Sequence, residues 1–150
     1  MMKKHLFLFF ALFLAFAMES QAQDYSRAIG IRGGLGANVT YKQFVSSQSA
    51  FELLGGFYFG DVYASLTYEK HNEFTNDVRG LTWYWGVGAS VLLSSGGIGI
   101  GALGAIGLDY AFGDIPLNIS VDWMPHVYLI GGRGFEPGGG GFSIRYILER

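Results

Sequence analysis

Two histidines, His71 and His126, follow the apolar N-terminal segment, and they are the first places to look for chemistry. Covalent hydrolysis needs a hydroxyl nucleophile, a base within hydrogen-bond reach and a third group that orients the base. Glu69 stands two residues before His71, so on a strand the two side chains share a face. Ser65 and Ser120 fall on the same inner face in the alternation described below, which makes them the candidate hydroxyls. Any sheet with one polar face offers such trios, and spacing alone does not bring three groups to one point. These side chains are therefore read as polar residues of the fold. No catalytic, cofactor-binding or metal-binding residue is expected.

The other motifs are weaker. The glycine runs at 97–107 and 138–141 lack the Gly-Lys-Ser/Thr ending and the helix start of a phosphate loop. Asn118-Ile119-Ser120 matches a glycosylation pattern but lies within a strand pattern. Glu136 and Asp61 sit at breaks and suit scattered surface charge better than a cation site, which needs several converging ligands. Cysteine is absent, which excludes disulfides, thiolate metal sites, a Cys nucleophile and a lipid anchor on Cys. No basic stripe points to nucleic acid, and the net charge is −2.

The chain opens with an address. Lys3 and Lys4 precede an unbroken apolar run from Leu6 to Met18, followed by Ser20-Gln21-Ala22. The run is short for a bilayer span and fits the core of a signal peptide. Residues 1–22 are expected to be cleaved after Ala22, which leaves one exported domain, 23–150.

That domain is unusual for a soluble protein. Charged residues are 15% of the chain against a usual quarter or so. Mean hydropathy is +0.28, yet no second apolar run approaches the length of a membrane helix. Glycine numbers 24 against 3 prolines, a composition that disfavours helices.

The dominant signal is period two, the period of a strand with two unlike faces. In Leu117–Met124, Leu117, Ile119, Val121 and Trp123 oppose Asn118, Ser120, Asp122 and Met124. The same alternation runs through Ala28–Leu35, Val39–Phe44, Phe51–Phe59, Val62–Glu69, Leu81–Leu92, Ile98–Tyr110 and Phe142–Leu148. Seven breaks separate these eight segments: 36–38, 46–49, 60–61, 76–80, 94–97, 113–116 and 131–141. The first is the weakest, because Ala28–Phe44 also reads as one bent strand.

One face collects Ile, Leu, Val, Phe and Trp. The other collects Arg32, Lys42, Glu52, Glu69, Asp109, Asp122 and Arg145. A soluble barrel buries its apolar face, whereas a membrane barrel turns that face to lipid and keeps the polar one inside. The expected fold is all-β, an eight-stranded antiparallel transmembrane up-and-down barrel. Lipid forbids open edges, so the sheet must close. Eight strands leave an interior that side chains fill, so a plugged barrel is expected, not a pore. Inward glycines such as Gly99, Gly101 and Gly107 would make room for long charged neighbours. Tyr25, Tyr41, Tyr68, Trp83, Tyr110, Trp123 and Tyr146 are read as interfacial girdles. The break at 131–141 would be the longest external loop.

The stretch from Asp114 to Pro125, with the closing Ser143-Ile144-Arg145-Tyr146, resembles the small OmpX-like outer-membrane β-barrel proteins of Gram-negative bacteria. Ala28-Ile29-Gly30-Ile31-Arg32 and Tyr41-Lys42-Gln43-Phe44 fit the same pattern. The chain departs from that class at Met124, where a basic residue usually follows the Trp. It also ends Leu148-Glu149-Arg150 and not on an aromatic residue. The resemblance implies an outer-membrane location and a non-enzymatic structural or surface-interaction role. The partners it implies are outer-membrane lipid and lipopolysaccharide, with the barrel-assembly machinery during biogenesis. The alternatives are a lipid-modifying barrel enzyme acting through His71, a soluble lipocalin-like ligand carrier and a narrow channel. Outward Gly33, Gly55 and Gly104 leave the oligomeric state open.

Overall fold

The computed structural model describes residues 24–34, 36–74, 78–131 and 134–150. The expected signal peptide lies outside these residues, as does Leu35. Ten β-segments are present and no helix among the described residues: β1 (Arg27–Gly34), β2 (Gly36–Phe44), β3 (Ser49–Tyr58), β4 (Asp61–Glu73), β5 (Leu81–Ser94), β6 (Gly97–Ala111), β7 (Leu117–Trp123), β8 (His126–Ile130), β9 (Gly134–Glu136) and β10 (Gly141–Glu149). They make eight barrel strands. β7 and β8 are halves of one strand, both paired with β6 and interrupted at Met124-Pro125. β9 and β10 are halves of the last, interrupted at 137–140. Each pairing is antiparallel, and β10 pairs with β1 to close the ring.

The barrel is staggered. A path through paired residues runs from Ile31 to Val39, Gly55, Ala64, Val91, Ile100 and Ile130. It starts inside β1 and ends at the tip of the β8–β9 hairpin. Such a climb is the stagger that closing tilted strands into a barrel requires.

Ala28–Phe44 is two strands, since β1 and β2 pair with each other along their length. Gly36, Ala37 and Asn38, expected as a turn, belong to β2, and the break narrows to the single position between Gly34 and Gly36. β2 therefore has nine residues and is not short. The 131–141 break is also smaller than expected. His126–Ile130 is a strand, and Gly134–Glu136 folds back on it through pairs such as Val127 with Phe135. Pro125 lacks an N–H for the ladder, so the barrel strand breaks there and resumes. At Phe59-Gly60 both residues have positive φ, 51° and 86°, the backbone a tight two-residue hairpin requires.

The turn between β2 and β3 falls where Ser46–Ser49 predicted it, with the Ser46 hydroxyl accepting from the Ser49 N–H at 3.1 Å. The connections nearest the chain termini, 45–48, 74–80 and 112–116, are the longer ones. At the opposite end the connections whose residues are described, 59–60 and 95–96, are two residues each.

The two faces separate as the alternation predicted. Arg32, Lys42, Glu52, Glu69, Asp109, Asp122 and Arg145 are all buried in the lumen. Ile31, Val39, Leu53, Leu66, Val87, Val121 and Ile144 all point outward and are exposed. Tyr25 corrects the girdle assignment: it is 2% exposed and points inward. It packs with Ala28, Ala111, Ile147 and Phe44 at the terminal end. A larger apolar and aromatic cluster fills the other part of the lumen, built on Leu54, Tyr58, Tyr63, Tyr84, Leu92, Leu103, Met124 and Tyr128.

Three inward glycines also differ from expectation. A side chain at Gly99 or Gly101 would meet the Tyr128 ring, and one at Gly107 would meet Tyr84 and Asp122. They make room chiefly for aromatic rings. Gly141 does serve a charge, because a Cβ there would fall on the Arg32 guanidinium.

Candidate functional site

The lumen between the two apolar clusters is an ion network. Lys42 on β2 lies 2.9 Å from Glu69, 3.4 Å from Asp109 and 3.9 Å from Glu52. Its ammonium also sits 4.5 Å from the centre of the Tyr84 ring. Arg145 on β10 donates to Thr40 at 3.0 Å, to Asn118 and Ser120 at 2.9 Å each, and to Glu52. It thereby joins β2, β3, β7 and β10 across the lumen. Arg32 pairs with Asp122, which also accepts from the Tyr84 hydroxyl at 2.9 Å. Buried charges are tolerated only when paired and hydrogen-bonded, and period-two placement delivers both signs to one enclosed space.

Asn118 donates to Asp109 at 2.7 Å and to the Tyr110 carbonyl at 3.1 Å, as an interior strand residue. Tyr25 reaches Asp109 from outside β1, at 3.2 Å. Burial, with Asp109 beside it, pushes the Tyr25 phenol well above its ordinary value.

Of the residues singled out for chemistry, the structure brings two together. His71 Nε2 lies 2.9 Å from Glu69 Oε2. Neither expected serine joins them. Ser120 accepts from Arg145, and the Ser65 hydroxyl is buried beside Tyr63, away from the pair. The hydroxyl that His71 does meet is Thr82, 3.1 Å from Nδ1. Thr82 was legible as an inward residue of its strand, but nothing local pairs it with His71. The β4–β5 register places Thr82 beside Glu73 and Tyr84 beside His71, so the contact is diagonal.

The His71 ring stacks on Tyr84 with centroids 4.8 Å apart, and Phe44 lies tilted against it, also at 4.8 Å. Beside it at the terminal mouth is a cavity of about 20 Å³, lined by Tyr25, Phe44, His71, Thr82, Asp109 and Ala111 among others. His126 is elsewhere, in the aromatic cluster. Its Nε2 lies 2.8 Å from the Tyr63 hydroxyl, and its ring stacks on Tyr128. Asp61 opens β4 and Glu136 closes β9. Among the described residues, no group of three or more His, Asp or Glu side chains is placed to hold a metal ion.

A wider recess of about 210 Å³ lies at the far end, between the β5–β6 turn and Tyr128. No protein-family model, curated protein or solved structure matches the chain.

Proposed function

We propose that this chain is an outer-membrane β-barrel of the OmpX-like kind, exported by a signal peptide cleaved after Ala22, whose barrel has a structural or surface-interaction role. The observation that carries the reading is the inversion of the two faces. Large apolar side chains are exposed on every barrel strand, from Ile29 on β1 to Leu148 on β10, while the charges are inside. Monomeric soluble proteins rarely expose a contiguous apolar patch beyond a few hundred Å². In a bilayer that surface is in its preferred solvent, and the closed ladder leaves no unpaired strand edge around the ring.

The outward aromatics support a membrane position. Tyr41, Tyr68, Trp83, Tyr110 and Tyr146 lie on the outer face toward the terminal end of their strands, the amphipathic ring expected at a headgroup boundary. The partners are lipid and lipopolysaccharide around the barrel and the assembly machinery during insertion. A soluble ligand carrier would need an apolar lumen with room in it, and this lumen is filled by ions and aromatic rings. With such short connections at the far end, the barrel itself is the working part more than its loops.

The test is fractionation of expressing cells followed by gel migration with and without boiling. Protein in the outer-membrane fraction, migrating differently once boiled, is the expected result. Protein free in the periplasm with no shift overturns the reading.

A further inference from the structure

The contact between Thr82 and His71 has the form of an activated nucleophile. We propose that Thr82, His71 and Glu69 form a nucleophile–base–orienting relay at the terminal mouth of the barrel, reactive toward small acyl esters. Both links are within hydrogen-bond reach, 3.1 Å from Thr82 Oγ1 to His71 Nδ1 and 2.9 Å from His71 Nε2 to Glu69 Oε2. Those are the distances at which a hydroxyl, a base and an orienting carboxyl group act together.

The relay is packed in place. Tyr84 stacks on the imidazole ring and Phe44 packs against it, and Lys42 pairs with Glu69 at 2.9 Å. A base fixed in place before the substrate arrives loses little freedom at reaction. The relay uses the tautomer in which Glu69 accepts the Nε2–H, which leaves the Nδ1 lone pair facing the Thr82 hydroxyl.

The hydroxyl end is the accessible one. Thr82 is only partly buried and lines the mouth cavity, whereas His71 and Glu69 lie deeper. Phe44 and Ala111 give that cavity an apolar wall, and its volume of about 20 Å³ admits a small group such as an acetyl methyl. Ser65 and Ser120 have neither the base nor the cavity.

The step balances. Thr82 Oγ1 attacks the ester carbonyl as its proton passes to Nδ1. The ester C–O bond breaks, and the alcohol leaves with that proton. Water then attacks the acyl-threonine, delivers its proton to Nδ1, and the acid departs as Thr82 recovers it. This capacity goes beyond the structural role and does not depend on the membrane reading.

The experiment is labelling of the folded protein, in detergent or in buffer as it proves to be soluble, with a fluorophosphonate probe. There Thr82 Oγ1 bonds to phosphorus as its proton passes to His71 Nδ1, the P–F bond breaks, and fluoride leaves. Mass spectrometry should find the adduct on Thr82 in folded protein and not in boiled protein. His71→Gln should slow labelling at least tenfold, and Thr82→Ser, with a less hindered hydroxyl, should label faster than wild type. No adduct in either the wild type or Thr82→Ser overturns the proposal, as does labelling that His71→Gln leaves unchanged. Should His71→Gln fail to fold, Thr82→Val decides in its place. Loss of the adduct from its peptide supports the relay, and persistence on that peptide overturns it.

Discussion

Arg145 shows how much one side chain can organise. Its guanidinium hydrogen-bonds to four side chains on three other barrel strands and lies 4.0 Å from Asp109 on β6, with no exposed surface of its own. Removing one partner of a buried ion pair leaves the other charged and desolvated, which costs about 3–5 kcal/mol. Arg145→Met should lower stability by that order in urea titration of the folded barrel, because Glu52 loses its Arg145 partner. A loss under about 1 kcal/mol would mean that the network relaxes around the gap. Tyr25 carries a pH dependence. Its phenol is held neutral by burial beside Asp109, so its folded pKa lies above its unfolded one. Its share of stability is then complete below the unfolded phenol value, about 10, and is lost as pH rises beyond it. Tyr25→Phe should flatten the decline in unfolding temperature as pH rises above about 10 and leave it unchanged at lower pH. An unchanged slope would assign that decline to other groups.

Among the elements, the β1–β10 seam closes the ring, and two features protect it. At Gly30 a Cβ would fall 1.9 Å from the Ile144 carbonyl oxygen. Gly30→Ala must therefore push β10 away from β1, and the expected outcome is loss of the heat-dependent gel shift in most of the protein. Arg150 guards the same seam from outside. It donates to the carbonyls of Asp24, Phe112 and Ile115, tying the N-terminal segment and the β6–β7 connection to the end of β10. Arg150→Ala should lower the temperature at which the boiled form appears, and an unchanged temperature would remove the latch from the account. The β8–β9 hairpin was harder to foresee. His126 to Leu129 do alternate inward and outward, and a register shift then leaves Ile130 outward as well, but Pro125 before them and the glycines after them read as punctuation.

At the scale of the whole molecule, the choice of solvent for the outer face governs everything else. Leu66 is half exposed in the middle of β4, between Leu53 and Ala89 on the neighbouring strands. Arginine at the midplane of a membrane barrel costs about 2–4 kcal/mol. Leu66→Arg should therefore reduce folding yield into lipid vesicles sharply. Improved solubility with full stability in buffer would reverse the assignment of solvents. The filled lumen makes a second expectation at this scale: planar-bilayer recordings should show no discrete conductance, and regular channel steps would mean that the two apolar clusters open.

Outside the β8–β9 hairpin, strand existence, strand parity and the sorting of seven charges to one face follow from the sequence by itself, because a strand alternates its side chains without reference to any neighbour. The turn at Ser46–Ser49 is local for the same reason, and the break expected at 60–61 falls one residue earlier, at Phe59-Gly60. Register is not local. The meeting of His71 with Thr82, the reach of Arg145 to four partners and the latch at Arg150 depend on which residues of distant strands lie level with one another. Tyr25 turned inward because an open barrel end offered it Asp109 and an apolar wall, neither of which a linear reading places nearby. Closure sets that register: pairing the last strand with the first leaves one stagger that satisfies every ladder, and only then do the inward charges find their partners.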